Sequence, residues 1–172
     1  MKRFENKVAL VTASSTGIGF GISRQFALEG ATVIISSRNQ KNVEEAVKLL
    51  TDEGLKAVAF PCNVGSKEDR DSLLQFIKEK FGRLDVLVNN AAAQTKFGGL
   101  FKTTESDYDK TFEINVKGGF FMSKEYHTIM PEGSSILFIT SYVGYTPDKI
   151  IGIYSISKTA LLGLIKVMAK EL

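Results

Sequence analysis

A single cysteine, Cys62, leaves the chain without a partner for an internal disulfide. That excludes a disulfide-stapled secreted scaffold and suits a reducing compartment, with Cys62 read as a small buried hydrophobe. The one histidine, His127, stands between Tyr126 and Thr128 with no cysteine or carboxylate cluster at ligand spacing, so no metal is assigned. Only three prolines interrupt the chain, Pro61, Pro131 and Pro147, and no repeat, low-complexity tract or linker divides it. No uninterrupted apolar run approaches the roughly 18 residues of a transmembrane helix, so no membrane span is expected. Met1 to Asn6 carries Lys2, Arg3 and Glu5 without an apolar stretch of signal-peptide length behind them. Charge of one sign is lacking too: a net charge of +3 produces no long-range field, and nucleic acid is not an expected partner. These absences point to a soluble, cytoplasmic protein.

What is present is apolar residue in quantity, 44% of the chain, enough at 172 residues to close one core and to read 1–172 as a single domain. Short β-branched runs alternate with longer segments of helical period, the pattern of βα units around a parallel sheet buried on both faces. Strands are expected at 8–12, 32–36, 57–60, 86–89 and 135–139. Helices are expected at 18–29, 40–52, 67–80 with Ser66 as N-cap, roughly 105–130, and from 151 onward. Gly30, Gly54 and Gly82 fall just past helices, where a left-handed C-cap is wanted. The fold class is α/β, a doubly wound parallel sheet of Rossmann type.

The first strand runs into Thr12-Ala13-Ser14-Ser15-Thr16-Gly17-Ile18-Gly19, a small-residue turn opening a helix. Without Cβ atoms, Gly17 and Gly19 let the backbone bend and approach a pyrophosphate at the helix N-terminus. A tight βα turn with no ligand has the same composition. About twenty residues on, the second strand ends in Ser37-Arg38, where an acidic residue would bind a ribose 2′-hydroxyl. A hydroxyl and a guanidinium there suit a 2′-phosphate instead, favouring NADP(H) over NAD, with Lys41 as a further charge. A solvent-facing arginine is the plain alternative.

Tyr154 and Lys158 lie four residues apart on one face of the last helix. An ammonium near a phenol favours the phenolate, so the Tyr154 pKa is expected to fall toward the range useful for proton transfer. Tyr145 and Lys149 repeat the spacing, but Pro147 and a loop setting argue against them. Tyr154 also has Ser141 thirteen positions upstream, just after a strand, where Tyr145 has Glu132.

With these residues in place the chain resembles a short-chain dehydrogenase/reductase over its whole length. The family's glycine-rich turn matches Thr12 to Gly19, its Asn-Asn-Ala-Gly strand end matches Asn89-Asn90-Ala91-Ala92, and its catalytic Asn matches Asn115 in Ile114-Asn115-Val116. Segments 11–14, 36–43 and 157–164 are similar to the NADP-dependent retinol dehydrogenase/carbonyl reductase group called dehydrogenase/reductase family member four. The resemblance implies hydride transfer between NADP(H) and a carbonyl or alcohol of ketone, aldehyde, retinal or dicarbonyl type. It implies that Ser141 hydrogen-bonds the substrate oxygen and Tyr154 passes the proton. Lys158 would tune Tyr154 and hold the nicotinamide ribose, and Asn115 would help a water-linked relay through Lys158. It also implies cofactor contacts from Thr12, Ser14, Ser15, Gly17, Ile18, Gly19, Ser37, Arg38, Asn63, Val64, Asn90, Ala91 and Lys158. A homodimer or homotetramer is expected, with Phe112, Val116, Phe120 and Phe121 in the core or at the subunit face. Gln94, Phe97, Val143 and Tyr145 are expected to line part of the substrate pocket.

The chain departs from the family pattern at Ala13, Ala92 and Asn63, where glycine, glycine and aspartate are usual. The added methyl at Ala13 predicts a turn that avoids positive φ there. Leu172 closes the catalytic helix, and the family's following strands are missing, so the sheet reads as truncated with an unpaired edge. Relatives with a peroxisomal address carry it in that missing part. A catalytically impaired dinucleotide-binding protein or fragment is therefore the alternative function. An epimerase or dehydratase of extended relatives is disfavoured by Ser37-Arg38 and the compact spacing.

Overall fold

A computed structural model describes residues 2–94 and 97–172. Five strands form one parallel sheet: β1 (Val8–Thr12), β2 (Thr32–Ser36), β3 (Ala57–Ala59), β4 (Val86–Asn89) and β5 (Ser135–Phe138). The helices are α1 (Gly17–Leu28), α2 (Gln40–Asp52), α3 (Lys67–Phe81), α4 (Glu105–Phe112), α5 (Gly119–Tyr126) and α6 (Gly152–Glu171). The sheet order is β3-β2-β1-β4-β5, the doubly wound arrangement expected. Winding reverses between β1 and β4, so the connections leave their carboxyl ends in opposite directions and open a crevice for a ligand.

Alternate residues of the central strands feed two cores, one on each face of the sheet. Leu10, Ile34 and Leu87 pack with Leu73, Ile77, Met122 and Tyr126 on one side. Ala9, Val11, Val33, Ile35 and Val88 pack with Ala27, Val43 and Leu50 on the other. Burial on both faces explains the nearly unbroken apolar runs of β1, β2 and β4. The helix ends follow local chemistry. Ser66 Oγ accepts from the Asp69 N–H to start α3, and Gly82 stops it in the left-handed region at φ +68°.

The ladder frays where the expected strands ran one residue longer. Phe60 still donates to the Ile35 carbonyl and Ile139 to the Asn89 carbonyl, so each of these residues keeps one rung past its strand. A larger correction concerns the helix expected over 105–130. It is broken by a π-helical turn at Glu113–Gly118 and closes in a short 3₁₀ turn, His127–Ile129. Gly118 and Gly119 ride so close to Val64 and Phe138 that a Cβ on either would come within 2.9 Å of those side chains. That close seat accompanies the wider turn and brings Asn115 inward.

One helix bears on the expectation of no membrane span. By length and composition alone, α6 is long and apolar enough to cross a bilayer. Lysines and hydroxyls scattered along it hide that length from a search for an uninterrupted apolar run. Its buried Ile153, Ser155, Ser157, Lys158 and Leu161 pack against the protein. Among the described residues β5 is the last strand of the sheet on its side, with Leu137 exposed. A groove of about 470 Å³ beside it is walled by Met130, Ile136, Phe138, Ile165 and Met168, the open edge and helix face the sequence led us to expect.

Candidate active site

The turn after β1 is held in shape by the end of β4. Thr12 Oγ1 accepts from the N–H groups of Asn90 and Ala91, both at 2.9 Å. Asn90 Nδ2 donates to the carbonyls of Thr12 at 2.9 Å and Ala13 at 3.1 Å. Ala13 itself has φ +51°, which overturns the expectation that it avoids positive φ. An alanine there carries a backbone strain of about 1 kcal/mol, and the Asn90 bond to its carbonyl helps hold it in place. A Cβ on Gly19 would lie 2.6 Å from both the Ala13 oxygen and Asn90 Nδ2, so only glycine lets α1 begin this close to the strand ends. Thr12, Gly19 and Asn90 thus shape the floor of the crevice. Ser14 is sealed beneath it. Its hydroxyl donates to the Val11 carbonyl at 2.6 Å and accepts from the Ser36 N–H at 3.0 Å. Gly17, at φ +61°, and the exposed Ile18 stand at the entrance to α1.

From this floor a groove of about 440 Å³ runs along the carboxyl edge of the sheet, within the size range of small-molecule sites. Of the residues the family resemblance assigns to the cofactor, Ser15, Ser37, Arg38, Asn63, Val64 and Ala91 line it together. Among the described residues no aspartate or glutamate lines it, whereas Arg38 and Lys110 do. Arg38 is exposed and enters no ion pair among the described residues. Lys41 does not reach the groove and instead faces Glu45 at 3.8 Å on α2. Asn63 Oδ1 accepts from the Gly65 N–H at 3.2 Å, which leaves its Nδ2 as the group to offer a ligand. Gln94 lines this groove too. Val143 is buried rather than a pocket wall, and Phe97 and Tyr145 are exposed.

At the other end of the crevice α6 brings up Tyr154 and Lys158. The Lys158 ammonium stands 5.5 Å from the Tyr154 ring centroid. It donates to the Ile139 carbonyl at 2.7 Å, just past β5. Ser141 caps the short turn Tyr142–Gly144, and its hydroxyl neighbours the Tyr154 phenol closely enough to lower the phenol's pKa. The rival pair, Tyr145 and Lys149, lies exposed on the loop. Asn115 comes in from the π-helical turn. It exchanges bonds with the Ala93 backbone, 2.6 Å from N–H to Oδ1 and 3.0 Å from Nδ2 to carbonyl, and Nδ2 also donates to Ser157 Oγ at 2.9 Å. Its side chain is therefore a brace between the β4 loop and α6.

The electrostatics differ from expectation. Burial is the leading effect on Tyr154 and pushes its pKa up, against a smaller lowering by the Ser141 hydrogen bond. The expected depression by Lys158 does not occur, because the ammonium is drawn to a backbone carbonyl and lies over the ring. Burial also pushes the Lys158 amine down to about 8. Sequence reading missed Ser157, which ties Asn115 to α6, and Ser155, whose hydroxyl donates to the Ile151 carbonyl at 3.0 Å and accepts from the Asp148 N–H at 3.2 Å. Serines flanking Lys158 were visible, but nothing in their spacing marks a partner forty positions away.

A parallel sheet reversing at β1, an acid-free groove and a serine–tyrosine–lysine cluster define a dinucleotide-site architecture, and comparison with known proteins agrees. The sequence model described as short chain dehydrogenase matches residues 7–172. Tropinone reductase-like 3 of Erythroxylum coca is 45% identical over 99% of this chain and 66% of its own length. Short-chain dehydrogenase/reductase SDRA of Arabidopsis thaliana is 43% identical over 99% of this chain and 67% of its own length. Dehydrogenase/reductase SDR family member 4 of Homo sapiens is 45% identical over 97% of this chain and 61% of its own length. The chain belongs to the short-chain dehydrogenase/reductase family, oxidoreductases that use nicotinamide cofactors. It spans about two thirds or less of the length of these relatives.

Proposed function

We propose that this chain carries the NADP(H)-dependent hydride-transfer site of a carbonyl reductase, acting on a ketone, aldehyde, retinal or dicarbonyl, or in reverse on the alcohol. The observation that carries this reading is the Ser141–Tyr154–Lys158 cluster placed beside a groove whose lining has no carboxylate. The groove residues fit a dinucleotide phosphate: backbone turns at Ala13 and Gly17, hydroxyls at Ser15 and Ser37, and at Arg38 a guanidinium in no ion pair among the described residues, suited to a 2′-phosphate. A reduced nicotinamide bound there supplies a hydride to the carbonyl carbon. Ser141 orients the substrate oxygen by hydrogen bonding, and Tyr154 donates the proton that this oxygen requires. Burial favours the protonated phenol at neutral pH, the form needed for reduction. Ile139 holds one N–H of the Lys158 amine and leaves the others to serve a ligand or water.

Self-association as a homodimer or homotetramer is part of the same reading. An open face on α4, the π-helical turn, α5 and α6 presents Phe112, Val116, Phe120 and Leu164 with Asp109 and Lys117 at its rim.

Titration calorimetry with NADPH and NADH, beside an assay of nicotinamide absorbance with a panel of carbonyls, tests the proposal. NADPH is expected to bind more tightly than NADH, and Arg38→Ala to weaken NADPH by about tenfold or more with little effect on NADH. Equal affinity for both cofactors in the native chain contradicts the NADP assignment. Tight binding with no turnover on any carbonyl favours a binding protein without catalysis.

A further inference from the structure

We infer that Asn89 is a positioning residue for Lys158, acting through one buried water held between Asn89 Oδ1 and the Lys158 ammonium. A cavity of about 10 Å³ lies under the site, about the space that one water requires, and its walls include Asn89, Ile114, Asn115, Phe138, Ile139 and Lys158. Asn89 ends β4 and is buried. Its Nδ2 donates to Ser123 Oγ at 3.0 Å, and Ser123 Oγ donates its only proton to the Gly119 carbonyl at 2.8 Å. Ser123 can therefore only accept from Asn89, which fixes the amide with its oxygen turned the other way. No described residue donates to that buried oxygen.

The neighbouring polar groups are committed elsewhere. Both ends of the Asn115 amide are used by Ala93 and Ser157, and the Thr12 hydroxyl serves Asn90, Ala91 and the Val88 carbonyl. Lys158 is the exception, since Ile139 takes one of its three N–H groups. A water that accepts from Lys158 and donates to Asn89 Oδ1 satisfies both, and two polar partners suffice to hold it. Such a water hydrates the ammonium from the side away from the crevice and fixes its height relative to Tyr154. Tyr154 is the titratable side chain facing Lys158, and no carboxylate contributes to the downward shift of Lys158, which burial causes.

Two measurements on the cofactor-free chain decide the matter. A crystal structure fine enough to show ordered water is expected to place one in this cavity within hydrogen-bonding distance of both atoms. A dry cavity, or a water touching only one of them, overturns the inference. Asn89→Asp puts a carboxylate on the same water while Ser123 can turn to donate to it. Titration of ¹³C-labelled Lys158 by NMR is then expected to move up by about one pH unit. An unmoved titration in a folded variant, as judged by its melting curve, overturns the inference as well, and the crystal result decides alone if the variant does not fold. The catalytic importance of this water rests on the hydride-transfer reading, but neither measurement does. A water found in a protein that turns over no carbonyl would therefore count against that reading and leave this one intact.

Discussion

Lys158 is 2% exposed, and burial pushes its amine down to about 8 from the ordinary lysine range. Because the folded value lies below the unfolded one, the unfolded chain binds more protons between about pH 8 and pH 10.5, so Lys158 makes stability rise across that window. Below it both states are charged and the burial penalty is present in full. Replacing Lys158 with Met should remove this rise. Urea melts at pH 7 and pH 10 are expected to show the native chain gaining stability relative to Lys158→Met as pH increases, and a constant difference contradicts the burial of a charged amine. Backbone conformation supplies a second residue-level contrast. Gly17→Ala meets no atom within 4 Å, so its expected loss of about 1 kcal/mol is conformational, whereas Gly19→Ala collides with the Ala13 carbonyl and should lose more. Ala13→Gly releases strain at φ +51° but loosens the unfolded chain, and thermal melts are expected to find it neutral to about 1 kcal/mol stabilising. The Tyr154–Lys158 pair was legible because helical spacing puts four-apart residues on one face. The destination of the ammonium was not, since the Ile139 carbonyl is a backbone group on another element.

Asn115 is held by three hydrogen bonds, and its position depends on how its own element is built. Sequence periodicity gave a continuous helix over 105–130 because a single π-helical turn keeps the same average pattern of apolar residues. The break is decided by tertiary fit, with Gly118 against Val64 and Gly119 against Phe138. Ser157→Ala removes the acceptor that joins this turn to α6. It is expected to destabilise the fold by about 1–2 kcal/mol and to lower turnover more than cofactor affinity. Unfolding curves read with kcat and NADPH binding check this, and an unchanged kcat would mean that the brace does not set the geometry of Lys158. The capped start of α3 was legible from Ser66 because a cap is a local hydrogen bond.

For the whole molecule, alternation of strands and helices gave the parallel α/β class, and the motifs gave its doubly wound Rossmann type, while the strand order came from the structure. Register, the reversal between β1 and β4 and the grouping of Ser15, Arg38 and Asn63 in one groove are long-range outcomes that no local pattern encodes. The edge at β5, with Leu137 42% exposed, predicts open-ended association of this chain at high concentration. Leu137→Lys should suppress large species in sedimentation velocity and leave any discrete dimer in place, and no change in the large species would show that the edge is not their cause. The central claim is that Tyr154 and its neighbours complete a hydride transfer at a groove built for NADP(H). Transfer of deuterium from 4-deuterated NADPH to a ketone, followed by mass spectrometry of the alcohol, tests it most directly. The account predicts one deuterium on the carbinol carbon with the native chain and none above background with Tyr154→Phe. Equal labelling by the two proteins would contradict it.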